Sequence, residues 1–371
     1  MAFTKPSHPK GRVDAAGRTL ATAAEPSVMD EESLEVIKNW RAAHHFPLQI
    51  IKMMLRGRAK RTDPKALVSQ RMKRLPSIRN KLVRGQSETM RFSQMQDIGG
   101  CRAVVSNIAA VEKLDSMFRE GVEKNPTGRH KLVSTRDYIA TPKEDGYRSI
   151  HYAFRYQSDS PERAAWNGLR IEIQIRSQLQ HAWATALETV DTLTGQSLKF
   201  ALGSNIGDPT WRRFFALMGS AIAHRERRNP VPGTPAGRPE LIEELRELSN
   251  KINAVSVLSN LGLTVKVLTD TYATSGREEH LLVLNARTKN IVVSSYSRRE
   301  LARLEEEYLR IEKEADPDVQ VVQVSVEDVT ALRTAYPNYY LDTQAFVSAL
   351  MAAISGPPLR KYRGIKRQRS G

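Results

Sequence analysis

The sequence predicts an α+β protein, a mixed sheet flanked by helices followed by a smaller C-terminal α+β domain. Three observations carry this. "RIEIQIRS" at 170–177 alternates Ile171, Ile173 and Ile175 with polar residues, the period-two pattern of a strand with one buried face. "QLQHAWATALETVDTL" and "PTWRRFFALMGSAIAHRE" have the apolar spacing of packed helices. In "RRNPVPGTPAGRPE", prolines and glycines gather while hydrophobic residues thin out, as in a linker between domains.

The elements follow in order. Residues 1–30, rich in Pro, Gly, Ala and Thr, read as a disordered leader. Ser33 is placed to cap a helix, "SLEVIKNWRAAHHF", with Leu34, Ile37, Trp40 and Arg41 at helical spacing. Lys52 to Arg84 reads as a very basic helical stretch with one acid, Asp63. "DIGGCRAVVSN" places a Gly pair before a β-branched run, a turn entering a buried strand. "VEKLDSMFREGVEK" reads as a helix. "KLVSTRDYIATP" and "YRSIHYAFRYQ" read as strands around an Asp145-Gly146 turn. This first domain spans 31–228 and the linker 229–239. Over 240–355, a helix through "ELIEELRELSNKINAVSVLSNLG" leads to strands "LTVKVLT", "HLLVLNART" and "NIVVSSYS", a charged helix, the strand "VQVVQVSV" and a last helix. Residues 356–371 form a basic tail.

The 371 residues are 40% hydrophobic and 26% charged, which suits a folded chain with real cores. A formal net charge of +16 favours polyanionic partners without choosing among nucleotides, nucleic acid and anionic lipid. The single cysteine, Cys101, excludes an internal disulfide and a cysteine-built zinc site, so a reducing, cytoplasmic setting is expected. No window approaches the roughly 18 apolar residues of a membrane span, and no membrane partner is expected.

The chemistry concentrates on a polar strand face. Glu172 is flanked two residues away by Arg170 and Gln174, with Arg176 beyond, a pattern equally found on a solvated sheet face. Asp97 precedes the Gly pair, where backbone can approach a ligand, and Arg102 follows five residues on; a turn-capping Asp is the plain alternative. Two carboxylates among cations suit Mg²⁺ and a polyphosphate, because Mg²⁺ takes one or two carboxylates plus phosphate oxygens. Glu172 is also a candidate general base. Arg71, Lys73, Arg74, Arg79, Lys81 and Arg84 recur around a helix, so they cannot all face one ligand. Lys143, Tyr147, Arg148 and His151 cluster at the Asp145-Gly146 turn, where Tyr147 suits stacking on a nucleobase. His181 and Trp183 read equally as core residues of the next helix.

The blocks "QRMKRLPSIRNKL", "MQDIGGCRAVV", "DYIATPKEDGYRSIHY" and "IEIQIRSQLQHAWA" occur in the order that resembles the synthetase domain of the RelA/SpoT family, over about Ser33 to Glu188. The resemblance implies a nucleotidyltransferase-like sheet and transfer of the β,γ-pyrophosphate of ATP to a ribose 3′-hydroxyl with release of AMP. It implies that Arg71, Lys73, Ser77 and Lys81 hold the ATP phosphates, with Arg84 and Arg102 beside them. Asp97 and Glu172 would hold Mg²⁺, and Glu172 would be the base. Lys143, Tyr147 and His151 would receive the acceptor, GDP or GTP, next to Arg148, with Gln174, Arg176 and His181 completing that wall.

Departures from the family narrow the reading. No His-Asp dipeptide occurs, so the hydrolase activity of long members is not expected. "AYPNYYLDT" puts Tyr336 and Tyr339 in a Tyr-Pro-Asn-Tyr unit that resembles the fused antitoxin domains of toxic small synthetases used in phage defence. The resemblance implies that these tyrosines block the ATP site, that tRNA is the acceptor, and that a protein trigger acts on the C-terminal domain. Two tyrosines packing a turn is the bland alternative. A catalytically silent RNA-binding regulator stands as a third reading, and the sequence leaves oligomeric state open.

Overall fold

The structure, a computed structural model, describes residues 3–23, 29–84, 90–124, 130–194, 208–262, 266–270, 279–314, 318–325, 332–340 and 342–355. The expected basic tail lies outside them. A nine-stranded sheet organises the described residues in the order β3-β4-β5-β2-β1-β9-β7-β8-β6. Its strands are β1 (Leu67–Met72), β2 (Gly99–Val105), β3 (Lys131–Asp137), β4 (Ile150–Arg155), β5 (Arg170–Ser177), β6 (Lys266–Asp270), β7 (Glu279–Asn285), β8 (Asn290–Tyr296) and β9 (Val319–Ser325). The β2–β5 and β6–β8 pairs are parallel and the other pairs antiparallel, so the sheet is mixed as expected.

The helices are α1 (Lys10–Thr22), α2 (Glu31–Ala43), α3 (His45–Thr62), α4 (Leu75–Arg84), α5 (Ile108–Lys124), α6 (Gln178–Thr194), α7 (Pro209–Glu226), α8 (Arg238–Lys251), α9 (Ala254–Gly262), α10 (Leu301–Lys313), α11 (Leu332–Ala335) and α12 (Gln344–Ile354). One core joins α1–α5 to β1, β2, β4 and β5, and also takes in Tyr308 and Leu309 of α10. A second joins α6–α9 with α12. The third lies where β7–β9 meet α11 and Tyr336, Tyr339 and Tyr340.

Five local expectations are corrected. The expected disordered leader contains α1, because Val13, Ala16 and Leu20 recur at helical spacing and are buried against the first core. The cap of α2 is Asp30 rather than Ser33: its carboxylate accepts the Ser33 backbone N–H at 2.7 Å. The basic stretch is not helical throughout, since β1 interrupts it. Long-range pairing with β2 on one side and β9 on the other overrides its local composition there. Gly99 and Gly100 open β2 instead of forming a turn. The helix expected across 240–262 also breaks, at Asn253, whose φ of 49° lies in the left-handed region.

The Asp145-Gly146 turn is present. Gly146 has φ 94°, and a Cβ there would come within 2.8 Å of the Phe215 carbonyl oxygen, so both conformation and contact require glycine. Strands β6–β9, from the chain after residue 240, extend the same sheet as β1–β5: β1 meets β9 through Gln70↔Ser325 and Arg71↔Val324. That junction brings the C-terminal segment beside the polar strand face.

Candidate active site

Strand β5 builds the floor. Ile171, Ile173 and Ile175 are fully buried, which turns Glu172, Gln174 and Arg176 to the opposite face. The antiparallel register with β4 sets His151 opposite Gln174, two pairs from Glu172 and so on the same face. His151 Nδ1 lies 3.0 Å from Glu172 Oε1 and its Nε2 lies 2.8 Å from the Tyr147 hydroxyl. Arg176 Nη2 donates to the Tyr147 oxygen at 2.6 Å and to Gln174 Oε1 at 2.8 Å, and Gln174 Nε2 donates to Glu172 Oε2 at 2.7 Å. The five side chains thus close a hydrogen-bonded ring.

Donor and acceptor roles in the ring follow from its members. A carboxylate only accepts, so Nδ1 of His151 carries a hydrogen; in the neutral ring Nε2 then accepts from Tyr147, whose oxygen in turn accepts from Arg176. Burial opposes ionisation of Glu172, but the hydrogen bond from His151 leads the interactions that hold its carboxyl below the usual range. Burial pushes the Tyr147 hydroxyl up, against the pull of Arg176.

The second carboxylate comes from the segment before β2. Asp97 Oδ2 is 3.0 Å from Lys73 Nζ and Oδ1 is 2.8 Å from Lys81 Nζ. Burial works against its charge, yet the two ammonium groups outweigh burial and keep the carboxyl far below the usual range. Lys73 follows β1 and Lys81 lies on α4, so one carboxylate ties the strand end to the helix.

Asp97, Glu172, Arg71, Lys73, Arg102 and Tyr336 border one cavity of about 50 Å³. A neighbouring cavity of about 220 Å³ shares Arg71 and Lys73 and adds Ser77, Arg84, Glu188 and Tyr339. The Tyr336–Tyr339 unit therefore borders both. Arg102 Nη2 donates to the Ala335 carbonyl oxygen at 2.5 Å, and its guanidinium carbon lies 5.7 Å from the Tyr336 ring centre. The Tyr336 hydroxyl donates to the Gln70 carbonyl of β1. Burial, then the charge of Arg176, lowers Arg102 to about 10, still cationic at neutral pH. Neither cavity reaches the roughly 300 Å³ at which small-molecule sites begin.

Most residues expected from the sequence meet here. Lys143 stands at the edge, 4.6 Å from the Tyr138 ring centre and 5.4 Å from that of Tyr147. His181, on α6, is buried and held neutral, first by burial and then by Arg102 and Arg176. Arg148 departs from the expected acceptor wall. Its buried guanidinium donates to the carbonyls of Gly219, Ile139 and Asn229, which makes it a brace between the turn and α7.

Sequence reasoning missed Tyr138 and Glu188. The Tyr138 ring meets His151 edge-on at 5.2 Å and Tyr147 at 5.8 Å. Glu188 is the leading opposite charge on Arg71; its place seven residues after His181, two turns along one helix face, was the available signal. Glu312 of α10 was missed too. Its carboxylate accepts the Leu75 N–H at 3.1 and 3.3 Å, at the start of α4, and receives the Tyr308 hydroxyl. The Tyr308 ring in turn lies 4.5 Å from the Arg41 guanidinium.

Among the described residues no group of three or more His, Cys, Asp or Glu is set to hold a metal ion. Asp97 and Glu172 on one cavity, both ionised, still fit Mg²⁺, which completes its shell with phosphate oxygens and water. Among the described residues no helix is long and apolar enough to cross a membrane.

Residues 70–190 match the family model described as "Region found in RelA / SpoT proteins". GTP pyrophosphokinase YwaC of Bacillus subtilis (strain 168) is 29% identical over 126 residues, covering 33% of this chain and 56% of that protein. GTP pyrophosphokinase YjbM of the same organism is 34% identical over 125 residues, covering 33% and 54%. The chain thus spans about half the length of the curated relatives it matches. Among solved structures, small alarmone synthetase 1 from Bacillus subtilis bound to its product pppGpp is 21% identical with a TM-score of 0.37, covering 56% of this chain and 93% of that one. A GTP pyrophosphokinase family protein from Streptococcus pneumoniae is 23% identical with a TM-score of 0.39, covering 62% and 98%. At those scores the overall likeness carries no weight for the activity of this chain.

Proposed function

Residues 70–190 of this chain being a RelA/SpoT region, we propose that the protein is an ATP-dependent pyrophosphokinase that moves the β,γ-pyrophosphate of ATP to the ribose 3′-hydroxyl of GDP or GTP. One observation carries the reading: Asp97 and Glu172, from separate segments, share a cavity with Arg71, Lys73 and Arg102. Two carboxylates among buried cations match the needs of phosphoryl-type transfer, where positioning and charge neutralisation do most of the work. The relatives bearing the name GTP pyrophosphokinase support the same class.

In this reading Arg71, Lys73, Lys81 and Arg102, with Ser77 and Arg84 of α4, bind the ATP phosphates. The acceptor lies against Tyr147 and Lys143. Its 3′ oxygen attacks the β-phosphorus, its proton passes to Glu172, and the bond from that phosphorus to the bridging oxygen of AMP breaks. His151 and Gln174 hold the Glu172 carboxylate in one orientation through the attack. Mg²⁺, held by Asp97 and Glu172, would neutralise charge on the phosphates.

A second reading keeps the donor chemistry, takes the tRNA 3′ end as acceptor, and has the C-terminal domain, 240–355, restrain the enzyme until a protein trigger releases it. The Arg102–Ala335 hydrogen bond and the seat of Tyr336 on Gln70 favour restraint, because they engage a phosphate-binding arginine from the C-terminal side. A net charge of +16 suits a nucleic-acid acceptor. ATP labelled on its γ-phosphate, given to the full-length protein with GDP, GTP or deacylated tRNA, tests both. Label on a guanine nucleotide supports the first reading and label on tRNA the second. No transfer by the protein or by its Tyr336→Ala variant would overturn both and leave a silent regulator.

A further inference from the structure

Helices α6, α7, α8 and α12 line a cavity of about 460 Å³ that shares no residue with the two cavities at the carboxylates. Its floor is apolar, formed by Leu179, Met218, Ile222, Leu241, Ile242 and Ala349. Its rim carries His224, Arg225 and Arg238 and no acidic residue. The two arginines are exposed, and among the described residues neither is seen in a hydrogen bond or an ion pair, unlike Arg213 earlier on α7, which Glu244 holds at 2.6 Å. Nε2 of His224 is shielded from solvent and lacks a hydrogen-bond partner.

Volume, floor and rim specify the occupant. The cavity falls within the roughly 300–1,000 Å³ range of small-molecule sites, whereas both cavities at the carboxylates fall short of it. The floor takes an alkyl or aromatic body, since about 25 cal/mol is gained per Å² of apolar surface removed from water. The rim takes a negative charge, and the planar guanidinium suits carboxylate or phosphate alike. We propose that this cavity is a binding site for an anionic amphiphile, with its apolar body between α7, α8 and α12 and its carboxylate or phosphate head on Arg225 and Arg238.

The position of α12 gives the site a consequence. At its start Thr343 donates to the Leu258 carbonyl of α9 at 2.5 Å, and at its end Arg246 of α8 donates to the Ile354 carbonyl at 2.7 Å. The helix is therefore pinned at both ends, with the cavity beneath its last turns. It follows the Tyr336–Tyr340 segment closely in the chain, so an occupant acts on the element that carries the tyrosines at the candidate active site. That consequence rests on the pyrophosphokinase reading; occupancy of the cavity does not, and is tested without turnover.

Calorimetric titration of the full-length protein with decanoate and decyl phosphate, against decanol and acetate, tests the site. The expected result is saturable, one-to-one binding of at least one decyl anion, at least about fivefold weaker binding of decanol because the guanidinium contacts are lost, and none of acetate. The Arg225→Ala/Arg238→Ala variant should weaken the anion by a similar factor, and Ala353→Trp, which fills the cavity, should abolish binding while the circular dichroism spectrum is retained. Equal affinity for decanol, binding indifferent to both variants, or no saturable binding of either anion would overturn the proposal.

Discussion

Arg102 Nη2 donates to the backbone carbonyl of Ala335 across 2.5 Å, joining strand β2 to the C-terminal segment at the candidate active site. With the guanidinium also 5.7 Å from the Tyr336 ring centre, a cation suited to phosphate is engaged before any nucleotide arrives. Freeing it should strengthen ATP binding. Tyr336→Ala removes the ring beside the guanidinium and the hydroxyl bond to Gln70 that seats the segment, and is expected to lower the Kd for ATP by about tenfold, the scale of one desolvated cation–π contact, measured by titration with a non-hydrolysable analogue.

In the proposed reaction the base is Glu172, held in the ring with His151, Tyr147, Arg176 and Gln174. Glu172→Gln keeps the shape but removes the negative charge and the proton acceptor. Turnover should fall by at least about a hundredfold, as for loss of a general base, with the melting temperature little changed. Retention of full turnover would remove Glu172 from the chemistry.

Buried histidines give stability a two-sided pH dependence. Burial drives His44 and His280 to about 4. A folded value below the unfolded one, about 6.5, means that the unfolded chain binds more protons between those limits, so stability should fall as pH drops from 6.5 towards 4. His45 behaves oppositely. Burial lowers it, but its 2.8 Å contact with Glu305 prevails and raises it, so its contribution is present below 6.5 and fades as pH rises through the raised value. Melting curves across pH should show both limbs, with His280→Gln flattening the acid limb and His45→Gln the alkaline one.

Glu312 anchors the start of α4 while Tyr308 and Arg41 lie behind it. Glu312→Leu leaves the Tyr308 hydroxyl and the Leu75 N–H without their acceptor and removes one of the two acids, with Glu305, that face the buried Arg41 charge. A loss of about 3 kcal/mol in urea unfolding is expected, the scale for breaking one side of a buried charged pair.

Gly146→Ala forces a side chain into φ 94° and against the Phe215 carbonyl. The expected cost is about 2 kcal/mol, read by the same unfolding measurement.

Much of this was legible in the sequence where short-range pattern and chemistry agree. The alternation of Ile171, Ile173 and Ile175 gave β5 and its polar face, and the Asp-Gly pair gave the turn before Tyr147. What stayed hidden depends on distant pairing. Strand β1 lies in a stretch whose charge suggested helix and exists through β2 and β9; Arg148 looked like a ligand contact, but the carbonyls it binds come from Gly219 of α7 and from the loop residues Ile139 and Asn229. Glu188 and Glu312 read as ordinary helix-surface acids because their cationic partners, Arg71 and Arg41, lie more than a hundred residues away.

The most direct test of the account is AMP release from ATP, in the presence of GDP and of deacylated tRNA, by the wild type, Tyr336→Ala and Tyr336→Ala/Glu172→Gln. The account predicts faster AMP release from Tyr336→Ala than from the wild type, with release abolished when Glu172→Gln is added. AMP release that survives the loss of Glu172 would contradict it.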